Sequence, residues 1–504
     1  MERIARLCGA RPAEISRLCR LWDAAIVAGA GGEQPAAAPT DGGPAESPAQ
    51  GSVEGAVEQV PAGPWRPARV RRSLAVLVTA CLTMLLLIMV VPGEGRRAPA
   101  PVREAGPEIS AGTWTLPAKP VPAALFGITI NSSTGSMPAF RVGAARLWDS
   151  GTRWAGIQPS RGEFDWSVLD RLIDGARRAR LPVLFVLGGT PRWASPAGPA
   201  GPYPDGSRTS PPDDLRDWDA YVTALARRYR GRIEAYELWA LANDLRYYSG
   251  SMATMAEMTR RAARVIRSAD PAALLVCPGM GRLWEEEGRE LLWRFAALGG
   301  YDACDVAGIK LHQRTAADPP ESMLELAATT DKTFHQAGIQ PRLWSTGTTY
   351  DITLQAPLDE SRARDYAVRF YLTGLYARYL NVERMYFYNW GGTTIPLQLQ
   401  LVGRPPTPAA LAVEQLQRWL AHARGYSCGQ GMAIDLPANV WQCLFTVVEP
   451  DRRYEAAILW THAGTATVTV NARTLHRLDG TESTVGPRDG LRVGEEPVFV
   501  ELAG

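Results

Sequence analysis

The chain has 504 residues, with 54 Lys and Arg against 52 Asp and Glu. That length exceeds one ordinary domain and suffices for a large core with accessories, and the near-neutral balance gives no reason to expect nucleic acid. Seven cysteines are too few for a disulfide-dense scaffold, and the only lysines are Lys119, Lys310 and Lys332.

Residues 1–28 place Ile4, Leu7, Ile15, Leu18, Leu21 and Trp22 at helical spacing. They read either as a short amphipathic helix or as a tail with incidental apolar residues. Residues 30–64, rich in Ala, Gly, Pro and Glu, have the composition of a disordered segment. Residues 73–91 (SLAVLVTACLTMLLLIMVV) carry no charge, and a helix of that length rises about 28 Å, close to the hydrocarbon thickness of a bilayer. The long preceding segment and the lack of a small-x-small cleavage site after the span predict an uncleaved signal anchor. Arg66, Arg69, Arg71 and Arg72 crowd its N-terminal side, which predicts a cytoplasmic tail over residues 1–72 and an extracytoplasmic remainder. The expected location is thus the cell membrane, crossed once. Residues 92–121 are Pro-rich and read as a spacer.

From residue 122 short apolar runs alternate with amphipathic helical stretches. The runs are 126–130, 145–149, 183–189, 235–240, 274–279, 305–312, 342–347 and 384–390. Helical spacing covers 168–180, 215–231, 255–269 and 410–423. Eight apolar strands, each leading into a helix or a loop, predict a closed parallel (β/α)8 barrel over 122–424, with function at the strands' C-terminal ends. An open doubly wound sheet is the structural alternative, and the missing Gly-rich phosphate loop after the first strand counts weakly against it. Residues 425–504 hold short β runs with turn signals and predict a small antiparallel sandwich, its first strand within MAIDL at 432–436. The predicted class is therefore α/β, a single transmembrane helix preceding a TIM barrel and a β-sandwich. Cys428 and Cys443 lie close together in this module, and a disulfide between them is plausible in an oxidising compartment.

These segments resemble the retaining glycoside hydrolases of clan A, most closely family 39 and its polysaccharide-synthesis-associated relatives. The resemblance runs over most of residues 122–504 and includes ARLWDSGTRWAGIQPSRGEFDW at 145–166 and LGGTPRWAS at 187–195. The family's acid/base motif, Y-E-x-W-N-E-P-N followed by Y/F-W-x-G, is similar to YELWALANDLRYYSG at 236–250. Tyr236, Glu237, Trp239, Asn243, Tyr247, Ser249 and Gly250 fit it. The Asn before the acid is Ala240, and the acid/base is Leu241. The nucleophile motif W-x-T-E is similar to WSTG at 344–347, with Gly347 in the nucleophile's place. G-x-H-x-Y resembles GIKLH at 308–312, with Lys310 in the His place and His312 in the Tyr place.

Retaining hydrolysis needs two carboxyls about 5–5.5 Å apart. Leu cannot transfer a proton and Gly has no side chain, so the resemblance implies a degenerate site without catalytic residues. Asp149, Glu237, Asp244 and Asp351 are the acids near the strand ends, and Asp149 and Asp244 are possible substitutes in an inverting pair. Their structural alternatives are ion-pair partners at the barrel mouth and loop or turn residues. The residues expected to bind a sugar are Trp148, Trp193, Asn243, Lys310, His312, Arg314, Trp344, Tyr388 and Trp390. Aromatics offer flat faces to sugar CH groups. Lys310, with His312 and Arg314, could form a basic patch for a sugar carboxylate or phosphate, or it could pair with Asp149 or Glu237. No cofactor is expected, and too few His and Cys cluster here for a zinc site. The expected partners are an oligo- or polysaccharide, neutral or anionic, the membrane, and polysaccharide-assembly proteins. Three functions follow: a tethered glycan-recognising protein in cell-surface polysaccharide assembly, export or sensing; an active glycosidase with relocated acids; or a protein-binding scaffold.

Overall fold

The structure is a computed structural model and describes residues 109–348, 350–392, 395–486 and 490–503. The expected tail, the apolar span at 73–91 and most of the spacer lie outside the described residues. Among the described residues no helix is long and apolar enough to cross a membrane.

All eight apolar runs form strands. They are β2 (Phe126–Ile130), β3 (Ala144–Leu147), β4 (Val183–Val186), β5 (Ala235–Glu237), β6 (Leu274–Val276), β7 (Ala307–Ile309), β8 (Leu343–Ser345) and β9 (Val382–Trp390). They lie parallel in the order β6-β5-β4-β3-β2-β9-β8-β7. The two ends of this sheet meet through parallel bridges at Val276–Val306 and Met280–Ile309, which close the barrel. Closure leaves each strand covered on both faces, and this is why the runs are continuously apolar rather than alternating.

The helices carry the signals that start them. Asp214 accepts from the Arg216 N–H ahead of Leu215–Arg228, Ser251 from Thr254 ahead of Met252–Ala269, and Asp359 from Arg362 ahead of Glu360–Tyr376. Each cap satisfies an amide that the first turn leaves without a partner. In Ser167–Arg178 the buried residues Leu169, Leu172, Ile173 and Ala176 recur at helical spacing and face the strands.

The C-terminal region, expected as a small antiparallel sandwich, is a large antiparallel sheet with a small ribbon against one face. A seven-stranded antiparallel sheet runs β1-β10-β11-β12-β17-β14-β15, and a two-stranded ribbon pairs β13 with β16. The strands are β1 (Trp114–Pro120), β10 (Ala423–Gln430), β11 (Val440–Val448), β12 (Arg453–Thr461), β13 (Ala466–Thr469), β14 (Ala472–His476), β15 (Glu482–Thr484), β16 (Gly490–Val493) and β17 (Val498–Leu502). One face of the large sheet packs under the ribbon through Leu459, Val468, Val493 and Val500. The other face joins the barrel core: Trp441 meets Tyr376, Trp419 stacks on Phe499, and the Trp460 indole donates to Glu321 at 2.7 Å.

Two expectations are corrected here. Residues 114–120, read as spacer, form an edge strand paired to β10. MAIDL is not the first strand of the module; Gly431–Ile434 is a 3-10 turn bounded by Gly431 and Asp435 at positive φ, and β10 precedes it. Cys428 and Cys443 are bonded across β10 and β11. A second disulfide, Cys277–Cys304, joins the segments at the β6–β7 closure.

Candidate functional site

Inward-facing residues of the barrel strands stack in layers. The lower layer is apolar and includes Ala144, Leu184, Ala235, Val276, Trp344 and Tyr386. Towards the C-terminal ends of the strands the chemistry changes to Arg146, Glu237, Thr346 and, just past β7, Lys310. Glu237 is fully buried and accepts from Arg146 Nε at 2.7 Å, Lys310 Nζ at 2.8 Å and Thr346 Oγ1 at 2.9 Å. Lys310 Nζ also donates to the Thr346 carbonyl at 2.8 Å. Burial by itself would raise the Glu237 carboxyl, but the charges of Arg146 and Lys310 outweigh it and hold it below the usual carboxylate range. Burial, reinforced by the Arg146 charge, pushes Lys310 down to about 7 against the pull of Glu237. Of the alternatives for Lys310, the structure forms the ion pair with Glu237.

Above this layer lies a cavity of about 130 Å3. Its floor is Arg146, Lys310 and Thr346; its walls include Trp148, Asp149, Tyr203, Tyr247 and Tyr388; and Ala240, Leu241, Gly347 and Thr348 complete the rim. The Trp148 indole donates to the Tyr203 hydroxyl at 2.8 Å, and the two rings meet edge to face. Arg153 lies 3.7 Å from the Tyr203 ring centre and bonds Asp205, which fastens the loop carrying Tyr203 over the cavity. Asp149 lies 3.5 Å from Arg153 and hydrogen-bonds Tyr388. Burial raises its carboxyl, more than Arg153 and Tyr388 lower it.

Leu241 and Gly347, the positions expected to lack their carboxyls, both line the cavity. Leu241 sits at φ 50°, a conformation that branched or bulky L-residues rarely adopt, in a turn that Asn243 clamps to the β6 loop. The Asn243 amide donates to the Gly281 and Gly288 carbonyls, and its oxygen accepts from the Gly281 N–H. Gly347 has φ 118°, a backbone state that disfavours any side chain, and a Cβ built there would meet only Arg146 Nη1 at 3.9 Å and Tyr388 Cδ2 at 4.0 Å.

The remaining expected residues separate. Trp148, Lys310 and Tyr388 line the cavity with Asp149. Trp344 does not: it is fully buried in the lower layer, bonds Glu383 through its indole and carries Arg384 over its ring. The strand period puts it two residues, about 6.6 Å, below Thr346. Trp390 is buried on Gln400, and Trp193 donates to the Gln158 carbonyl beside Arg161. Asn243 is a loop clamp. His312 lines a neighbouring hollow, hydrogen-bonded to the Gln313 carbonyl, and burial lowers its pKa. Arg314 is exposed, stacked on Trp284 and 3.5 Å from Glu325. The expected basic patch of Lys310, His312 and Arg314 therefore does not assemble. Asp244 and Asp351 are both held by Arg246, at 2.7 and 3.1 Å. Asp149 is the sole acid among the described residues that line the cavity.

Sequence reasoning missed Arg146, Tyr203, Tyr247 and Thr346 as cavity residues. Arg146 carried a signal, being a charged residue inside an apolar strand on the inward alternation with Ala144 and Trp148. Tyr203 carried none, since it lies in a Gly- and Pro-rich loop.

Comparison with known proteins agrees with this architecture. The family model for the β-galactosidases of glycoside hydrolase family 42 matches residues 136–235. A search of curated proteins finds no match. Among solved structures, a family 39 glycoside hydrolase from Bacteroides cellulosilyticus is similar at 15% identity and TM-score 0.54, over 76% of this chain and 81% of that one. A monomeric beta-xylosidase from Caulobacter crescentus is similar at 12% identity and TM-score 0.53, over 78% and 97%. A glucosidase from Croceicoccus marinus is similar at 14% identity and TM-score 0.52, over 75% and 85%. At these identities the shared property is the fold of the barrel and its attached sheet.

Proposed function

We propose that this chain recognises a glycan in the barrel-mouth cavity without hydrolysing it, as a membrane-tethered, extracytoplasmic protein of cell-surface polysaccharide assembly, export or sensing. The observation that carries this reading is the pairing of a retained aromatic-walled cavity with Leu241 and Gly347 at its two chemical positions. Sugars are held by aromatic faces and hydroxyl partners, and both remain in Trp148, Tyr203, Tyr247, Tyr388 and Thr348. The tether rests on the apolar stretch at 73–91 and its arginine flank. Two disulfides are in keeping with an oxidising compartment.

A glycosidase with relocated acids draws support from Asp149, whose raised carboxyl is suited to proton donation. It lacks a partner, because Asp244 and Asp351 are both engaged by Arg246. Titration calorimetry of the full chain in detergent against neutral and acidic oligosaccharides tests the binding claim. Trp148→Ala should weaken the best ligand at least tenfold in the folded fraction, on the order of the 2 kcal/mol that a buried aromatic anchor contributes, and should also lower the melting temperature, because Trp148 is itself buried. Equal affinity in the variant would move the ligand away from this cavity.

A further inference from the structure

The layer beneath the cavity is unbalanced. Two basic groups, Arg146 and Lys310, share one carboxylate, Glu237, and all three side chains are at least nine-tenths buried. Lys310 spends its donors on Glu237 and on both oxygens of Thr346. Arg146 does not: Nε holds Glu237, and its terminal amines have no hydrogen-bond partner among the described residues. Nη1 instead faces the cavity space in front of Gly347, 3.9 Å from where a Cβ would stand. This guanidinium edge opens onto the cavity, and its fork geometry suits a carboxylate or a phosphate.

Resting on the glycan-binding reading, we infer that Arg146 and the open backbone of Gly347 form a subsite for the carboxylate of an acidic sugar. The ligand's carboxylate occupies the space a side chain at 347 would fill, and accepts from the outer edge of Arg146. Gly347 serves twice over, since its φ of 118° disfavours other residues and a side chain there would occupy the subsite. Leu241 offers an apolar wall in place of a second carboxylate, which would repel the incoming charge. Asp149, the remaining acid at the cavity, is held towards its protonated form by burial and opposes an anion less than a free carboxylate would.

The test uses the full chain in detergent with glucuronate, galacturonate and mannuronate oligosaccharides, each beside its neutral counterpart of equal length, and with sodium acetate as a free carboxylate. At least one acidic member should bind tenfold or more tighter than its neutral counterpart, and Arg146→Lys, which keeps a charge for Glu237 but loses the fork, should abolish that preference. The wild-type comparison stands on its own if the variant fails to fold. Neutral oligosaccharides binding as tightly as acidic ones would overturn the subsite and leave glycan recognition intact. Acetate competing as tightly as the acidic sugar would make it a free-anion site and overturn the sugar assignment. Binding of no oligosaccharide would overturn both.

Discussion

Arg146, Glu237 and Lys310 show how single positions decide what this barrel can do. Burying a carboxylate among cations stabilises only while every partner stays, and removing one leaves an uncompensated charge. Lys310 adds a pH dependence of definite sign. Its pKa falls from 10.5 to about 7 on folding, so between these values the unfolded chain binds more protons and stability rises with pH. Urea unfolding of the full chain at pH 7 and pH 9.5 should show the protein more stable at the higher pH, with the increase lost in Lys310→Met. A wild-type midpoint that falls over this range would contradict the assignment. Trp344 is the second instructive residue. Its W-x-T motif was legible, but its depth was not: the alternation of the strand places it one layer below the mouth. Trp344→Ala should therefore destabilise the fold by about 3–5 kcal/mol, read as a lower denaturation midpoint, while ligand affinity in the folded fraction stays unchanged. Leu241 stood out in the sequence from the motif around it, whereas the left-handed turn that carries it depends on Asn243 clamping a loop that is distant in sequence.

At the level of elements, the barrel strands were legible because each is buried on both faces and so writes a continuous apolar run. Strand β1 was not, because Pro117 and Pro120 disguise it as a spacer. Proline removes a ladder donor and is tolerated only at a sheet edge, which is where β1 lies, paired to β10 alone. Strand β10 was obscured in the same way by Gly425 and Gly429, and its position comes from pairing and the Cys428–Cys443 bond rather than from propensity. The β6–β7 junction is the thinnest seam of the barrel, joined by isolated bridges rather than a ladder. The Cys277–Cys304 disulfide spans this seam and closes a 27-residue separation, for which chain entropy gives about 3–4 kcal/mol. Cys277→Ala combined with Cys304→Ala should lower the melting temperature by several degrees in the absence of reductant, with Cys428–Cys443 left intact. A double variant as stable as the wild type would show that the seam does not depend on the bond.

For the whole molecule, the fold and the function separate. A barrel with an attached sheet is shared with enzymes that cleave glycosidic bonds, yet fold does not transmit activity; the groups at the strand ends do. Here those groups are an apolar side chain, a bare backbone and a cation layer. The motifs drew attention to Leu241 and Gly347, and both line the cavity. The cavity itself was readable only in part, because Tyr203 and Tyr247 reach it from loops whose paths depend on Arg153, Asp205 and the β5 turn. The most direct measurement is incubation of the full chain with labelled neutral and acidic oligosaccharides, followed by separation and mass analysis of bound and free sugar over a day. The account predicts ligand recovered bound and uncleaved. Release of shortened products by the wild type, abolished in Asp149→Asn, would contradict it and make the protein a glycosidase with a relocated acid.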